Sequence, residues 1–419
     1  MMQRLFLAFL VVACLATPAS ALNEWTVMLY WVSDEKESTA LIKSHISSLK
    51  SLVAKAAAPG AHEVVVLFDG PPGYSAVDGK DADGGFRLEP QNGAWNIERL
   101  GELNMGSPYT LWTFLKWTAE KHPAKRYALF IGGHGSGIFS WRGPGGVNDL
   151  NPGQVDFSPD RFVGYDDSNN DCLTVFEVQK VLEAFKTKSN AGRKLDVLVL
   201  DSCLPGGLET LFQFREVIGL LVSSPSTTLI GGMPYPRIVS ELAANVKVSA
   251  EDFSKAIAKA YLEKVITMSN DGEVMAVYAT EKVQELAFAL DQLSLQLISA
   301  QTETGKRASI KNLTTFGGKN RYWDLGRLLT SLSEGNADVG PAKNVAAIKT
   351  LAQEALDLIK TNRITTWYSG SYADNKIAGL SIAWPEKEEW QKWQKFYQTL
   401  DLSKATHWED FLNTWHGLR

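Results

Sequence analysis

Basic clusters, long apolar runs and cysteines are all scarce in this chain, and each scarcity excludes something. Its 42 Lys and Arg residues are scattered over 419 positions with a formal net charge of −5, so no segment carries the electrostatic footprint of a nucleic-acid binder. No nucleic-acid partner is expected. After the N-terminus no stretch approaches the roughly 20 apolar residues that a membrane helix needs, so no stable span is expected either. The composition, 45% hydrophobic and 21% charged, is that of an ordinary globular chain and excludes disorder as the main state.

Three cysteines are present, and one lies in a segment read as removable. Met-Met-Gln-Arg is followed by an apolar run from Leu5 to Val12 and then by Ala19-Ser20-Ala21, the layout of a secretory signal. Residues 1–21 are therefore read as a signal peptide cut after Ala21, which makes the protein secreted or periplasmic. Val11-Val12-Ala13-Cys14 offers the alternative of a lipid-anchored form. Cleavage after Ala21 leaves Cys172 and Cys203 in an oxidising compartment. Two such thiols either pair or stay reduced because chemistry requires one of them.

The rest alternates strand and helix. Apolar runs at Trp25–Val32, Val64–Phe68, Tyr127–Ile131, Leu195–Leu200 and Gly219–Val222 are short, continuous and rich in β-branched residues. They read as strands of a mostly parallel sheet covered on both faces. Ser38–Ala57, Tyr109–Lys121 and Thr174–Lys186 read as crossover helices, and functional loops are expected at the carboxyl ends of the strands. Pro71–Asn96 reads as an irregular excursion at the sheet edge, and Arg142–Gly164 as an exposed, cleavable loop. Val274–Tyr278 is expected as a further strand, Lys282–Thr302 as a long helix and Ile377–Trp384 as another strand. Trp390, Trp393, Trp408 and Trp415 are read as packing residues.

Two strand ends carry candidate chemistry. Tyr127-Ala-Leu-Phe-Ile-Gly-Gly-His134-Gly stops in glycines around a histidine, and Lys194-Leu-Asp-Val-Leu-Val-Leu-Asp201-Ser-Cys203 stops in an acid and a cysteine. If these strands are neighbours in a parallel sheet, both side chains emerge on one rim. A cysteine attacks a carbonyl as thiolate and needs a base or a positive helix end nearby. His134 can be that base and the donor to the leaving amine. Gly207–Glu216 reads as a helix that places its positive end by the thiol, and the backbone amides of Cys203 and Gly135 can hold an oxyanion. Asp201 either lines a pocket or caps the turn that follows it.

Strand-Gly-His-Gly followed by strand-Asp-x-Cys resembles the clostripain family of caspase-like cysteine peptidases. Trp25-Thr-Val-Met-Leu-Tyr, Leu100–Leu111, Tyr165-Asp-Asp-Ser through Asp171-Cys-Leu-Thr, Gly379-Leu-Ser-Ile-Ala-Trp-Pro and Trp408-Glu-Asp-Phe-Leu are similar to the family as well. The resemblance implies an α/β class: a three-layer caspase-like fold with a mostly parallel central sheet, helices on both faces and a smaller C-terminal domain. The peptidase domain is expected over 22–300 and the accessory domain over 301–419. It also implies endopeptidase activity on a protein or peptide substrate through a Cys203–His134 dyad and an acyl-enzyme, with cleavage after basic residues and Asp201 in the specificity pocket.

Two departures stand out. Ser223–Pro234 lacks the acidic stretch and Gly-Asp-Gly that supply a second pocket carboxylate in the family, which weakens a strict Arg or Lys preference, and Gly132-Gly133 replaces a bulkier residue and an Asp or Asn, which loosens how His134 is oriented. These changes motivate the alternative of a noncatalytic binding protein on a degenerate caspase-like fold. No cofactor is assigned. Calcium use occurs in the family, but Asp166-x-Ser168-x-Asn170 with Glu177 lacks the glycine of a calcium loop, since Asp171 occupies that position. Thr174 and Glu177 read instead as a capping box. Cys172 is expected to be a bystander or a reversible redox partner. The sequence leaves oligomeric state open.

Overall fold

The β-branched runs pair along their length because each is apolar on both faces and can shed water only between two layers of helices. The computed structural model describes residues 22–34, 39–54, 62–74, 79–80, 83–91, 94–138, 163–229, 231–268, 273–310, 313–317, 321–369 and 377–418. The strands are β1 (Asn23–Val32), β2 (His62–Asp69), β3 (Gly85–Gln91), β4 (Ala94–Gly101), β5 (Ala124–Gly132), β6 (Val163–Asp166), β7 (Asp171–Leu173), β8 (Leu195–Asp201), β9 (Ile218–Ser223) and β10 (Val274–Ala279). A nine-stranded sheet runs Arg363–Tyr368, β10, β9, β8, β5, β1, β2, β3, β4. Its middle, β9-β8-β5-β1-β2, is parallel, and the strands outside it are antiparallel.

Alternate side chains of each central strand feed separate cores. Met28, Tyr30, Leu129, Ile131, Leu198 and Leu200 face one layer, which includes α2 (Pro108–Lys121), α3 (Val175–Ala184), α4 (Leu208–Gln213) and α7 (Val283–Thr304). Val27, Leu29, Trp31, Phe130, Val197 and Val199 face the other, with α1 (Thr39–Ala54), α5 (Tyr235–Ala244) and α6 (Ala250–Met268). The expected α/β fold with a mostly parallel sheet is therefore present.

Several expectations need correction. Pro71–Asn96 does not stay irregular: β3 and β4 pair antiparallel across Phe86–Gln91 and extend the sheet at its edge. Their polar residues hid them, since an edge hairpin needs only one apolar face. Within Ile377–Trp384 only Ser381–Ala383 is strand, and it joins a separate three-stranded sheet. Residue 300 lies inside α7, and Arg363–Tyr368 from the C-terminal part is an edge strand of the central sheet. The Arg142–Gly164 loop lies outside the described residues except for its last two positions.

The tryptophans pack as expected. Trp390, Trp393, Trp408 and Trp415 are buried, and Trp384 stacks on Trp323 at 3.9 Å while meeting Trp408 and Trp415 edge-on. Thr174 and Glu177 form the predicted reciprocal capping box.

One buried carboxylate ties the C-terminal segment to the centre, and a second braces that segment internally. Glu209 in α4 accepts from Ala383 N and Tyr397 OH, each at 2.9 Å. Asp324 caps the helix Leu325–Ser333 through Arg327 N at 2.9 Å and also accepts from Ala378 N at 3.2 Å and Gly379 N at 2.9 Å. Burial pushes the Asp324 carboxyl up to about 6 despite these donors. Because the folded group binds its proton more tightly than the unfolded one, its contribution to stability falls as pH rises from about 4 to about 6. Asp324→Ala strands three buried N–H groups, and equilibrium unfolding in urea should show a loss of about 3 kcal/mol or more.

Candidate active site

Parallel register puts the two chemical strand ends side by side. β5 and β8 pair from Ala128↔Val197 to Gly132↔Asp201, so His134 and Cys203 follow each strand by two residues onto the same rim. The structure brings them to one small pocket lined by Leu41, Gly133, His134, Asp201, Cys203, Thr228, Leu229 and Gly232, with a cavity volume of about 30 Å³. His134 is exposed and Cys203 half-buried.

Backbone contacts fix the histidine. Gly164 N donates to His134 O at 2.8 Å, and Gly133 N donates to Asp201 O at 3.3 Å. A Cβ on Gly135 would come within 2.7 Å of Ser202 Oγ and 3.0 Å of Cys203 O. Only glycine allows this approach, which presses the His134 segment onto the Cys203 backbone. Neither the Gly135 amide nor the Cys203 amide has a hydrogen-bond partner among the described residues. Both candidate oxyanion donors are thus uncommitted.

The departure at Gly132 is filled from elsewhere. A Cβ there would meet Trp31 Cδ1 and Tyr235 OH, each at 3.0 Å. The space beside Gly132 is occupied by Trp31 and Tyr235. Trp31 in turn stacks on buried His45, whose Nδ1 pairs with Ser33 Oγ at 2.6 Å. Burial pushes the His45 imidazole down to about 3, so it is neutral.

The turn after the nucleophile candidate is strained and pinned. Leu204 has φ of 71°, a conformation that costs a non-glycine residue about 1–2 kcal/mol. Leu204 N donates to Ser226 O at 3.0 Å, Gly206 N to Ser224 O at 2.9 Å, and Ser381 N to Gly206 O at 2.9 Å. α4 runs Leu208–Gln213 with Gly207 as its N-cap, so the expected Gly207–Glu216 helix begins where it was placed and ends three residues short. The donor to the thiol is Thr228 N, 3.3 Å from Sγ, with Thr228 Oγ1 at 3.6 Å. Burial pushes the thiol above the ordinary range, partly opposed by Thr228.

Asp201 does not cap the turn that follows it. Its carboxylate accepts from Met233 N at 2.8 Å and Tyr235 OH at 2.5 Å, at the entry to α5. Residues that the sequence reading missed lie around it. Lys264 donates to Gly231 O and Gly232 O, each at 2.7 Å. Glu273 takes the Tyr261 hydroxyl and accepts from Leu229 N at 3.2 Å. Burial lowers the proton affinity of Lys264, partly opposed by the charges of Asp201 and Glu273. Neither Lys264 nor Glu273 sits in a recognisable pattern, because they come from α6 and the approach to β10. Cys172 is buried in β7, and neither it nor Cys203 forms a disulfide.

A three-layer α/β sandwich with cysteine and histidine at adjoining parallel strand ends defines the caspase-like class. A family model described as the Clostripain family matches residues 31–415, so the chain belongs to the clostripain family. Clostripain of Hathewaya histolytica is 23% identical over 364 residues, covering 75% of this chain. The chain matches 62% of that relative's length. Two solved structures share the fold. A secreted C11 cysteine protease from Bacteroides thetaiotaomicron, iotapain, is 16% identical with a TM-score of 0.62, covering 93% of this chain and 100% of its own. An inactive zymogen C11 protease from Parabacteroides distasonis is 15% identical with a TM-score of 0.60, covering 92% and 99%.

Cys203 titrates high in the free protein, so its alkylation by iodoacetamide should be slow at neutral pH and should rise through and beyond the ordinary thiol range. A rate plateau already reached below pH 7 in a Cys172→Ala background would contradict this.

Proposed function

We propose that the protein is an exported cysteine endopeptidase in which Cys203 is the nucleophile and His134 the general base. The observation that carries this reading is the pairing of β5 with β8, which brings an imidazole and a thiol to one pocket, with the Gly135 backbone packed against Cys203 beside it. A thiol held protonated by burial is not a standing thiolate. Its proton passes to His134 as sulfur attacks the scissile carbonyl, and the Gly135 and Cys203 amides take the developing oxyanion. His134 then gives that proton to the departing amine, the C–N bond breaks, and a thioester remains on Cys203. Water, deprotonated by His134, releases the acid and restores the thiol. Export is supported by the charge, apolar run and small-residue site of residues 1–21, which lie outside the described residues. Among the described residues no helix is long and apolar enough to cross a membrane.

The proposal extends to the residue at the cut. Asp201 is the acid that would attract a basic side chain, but Met233 N and Tyr235 OH already engage it. Lys264 adds an opposing charge and holds the carbonyls of Gly231 and Gly232 at the pocket wall. A cavity of about 30 Å³ holds one or two water molecules. These features support a small, uncharged P1 residue over Arg or Lys.

A fluorogenic peptide library under reducing conditions tests both parts. Cys203→Ala should abolish turnover, and His134→Ala should lower it by about 10²–10⁴-fold. Gly135→Ala should lower kcat/KM by about 100-fold, because it pushes the His134 segment away from Cys203. Ala, Ser or Gly at P1 should be cleaved faster than Arg or Lys, and Lys264→Met should raise the share of basic P1 cleavage. Preferred cleavage after Arg or Lys by the wild type would overturn the P1 assignment and leave the peptidase standing. Absence of turnover at every P1 residue would leave the noncatalytic binding protein.

A further inference from the structure

A second cavity shares no residue with the thiol pocket and has a volume of about 510 Å³. That lies within the roughly 300–1,000 Å³ of small-ligand clefts. Its apolar lining comes from Leu313, Trp323, Trp384 and Pro385. Trp323 stacks on Trp384 at 3.9 Å, 9° from parallel, and Trp384 is held edge-on by Trp408, Phe411 and Trp415. Half-buried Trp323 therefore brings its remaining face or its edge to the cavity, on a tightly packed support.

His416 also lines this cavity. It is 6% exposed, and neither ring nitrogen has a hydrogen-bond partner among the described residues. Burial and the charge of Arg307 push the ring down to about 4, opposed in part by the Pro385 carbonyl. At neutral pH the ring is therefore uncharged and offers one N–H donor and one acceptor. Leaving both unpaired is costly, and a ligand in the cavity supplies what the protein does not. The charged lining residues balance, Arg307 and Lys387 against Glu386 and Glu388, so neither an anion nor a cation is favoured. The chemistry that fits is uncharged, with groups that both donate and accept and an apolar face for the indole. An extended peptide fits less well. The strand edge beside the cavity, Thr315–Phe316, is two residues long, too short to hold a peptide by strand addition.

We propose that this cavity binds a neutral saccharide of one or two rings, with the C–H face of the sugar against Trp323 and its hydroxyls on His416. The slightly positive C–H groups suit the negative face of an indole, and a hydroxyl both gives and takes the hydrogen bonds that a neutral imidazole lacks. Alternation along Tyr322–Asp324 links the site to the peptidase rim. Trp323 lines the cavity, while its neighbour Tyr322 faces the other side and donates from its hydroxyl to Ser136 O at 3.2 Å, two residues beyond His134. One short strand thus carries the sugar platform on one face and a brace of the His134 segment on the other.

The test uses the purified full chain and four uncharged sugars, maltose, cellobiose, lactose and diacetylchitobiose, in calorimetry and saturation-transfer NMR, with dialanine as the peptide arm. Saturable binding of at least one sugar is expected, tighter than that of dialanine. His416→Phe keeps a ring in place while removing the donor and the acceptor, and should weaken the sugar about 10-fold or more. Its Tm should not fall, because neither nitrogen serves a partner in the protein. Trp323→Leu, at a half-buried position, is the second variant and should weaken binding similarly. Absence of binding by all four sugars up to about 50 mM, well above a millimolar Kd, would overturn the site. Unaltered affinity in both variants, or dialanine binding more tightly than every sugar, would do so too. Neither readout involves peptide cleavage, so this result and the peptidase assay fail or succeed separately.

Discussion

Parallel pairing of β5 with β8 is the constraint on which the rim depends. Both strands are buried on both faces, so neither can slip by one residue without turning an apolar row into the wrong core. The pairing of Gly132 with Asp201 therefore fixes where the chain leaves the sheet on each side. From there, two glycine-dependent contacts do the rest. Gly133 passes against Val32 and Gly164, and Gly135 against Ser202 and Cys203. The imidazole and sulfur share a pocket because backbone meets backbone, with no direct bond between the two side chains required.

Beneath that pocket lies a polar layer that is dense and almost wholly buried. Asp201, Tyr235, Lys264, Glu273 and Tyr261 exchange hydrogen bonds or charge between α5, α6 and the approach to β10. A group of this kind is expensive to break singly, since each removal strands a partner in low dielectric. It holds the pocket wall in place and sets the sign of the field there. Trp31 and Tyr235 fill the volume beside Gly132, so a side chain there would have to displace aromatic packing from two other elements.

The strands were legible because full burial demands unbroken apolar runs, and Trp25–Val32, Tyr127–Ile131 and Leu195–Leu200 have them. His134 and Cys203 were read as candidates because each lies three residues past the end of such a run, where a polar side chain reaches the rim. The pocket wall was not. Lys264 sits in an amphipathic helix and looks like any solvent-facing lysine, and Glu273 precedes a strand with no distinguishing neighbour. The β3–β4 hairpin escaped notice because Arg87, Glu89, Glu98 and Arg99 give it the composition of a loop.

One consequence follows from the bonds that Ser381 and Ala383 make to Gly206 and Glu209. The Cys203 turn, with its left-handed Leu204, is completed by chain synthesised some 180 positions later, and Tyr397 adds the last tie. A nascent chain that has produced only the strands that carry His134 and Cys203 still lacks this buttress. The thiol's surroundings are thus finished only once residues 381–397 have been made.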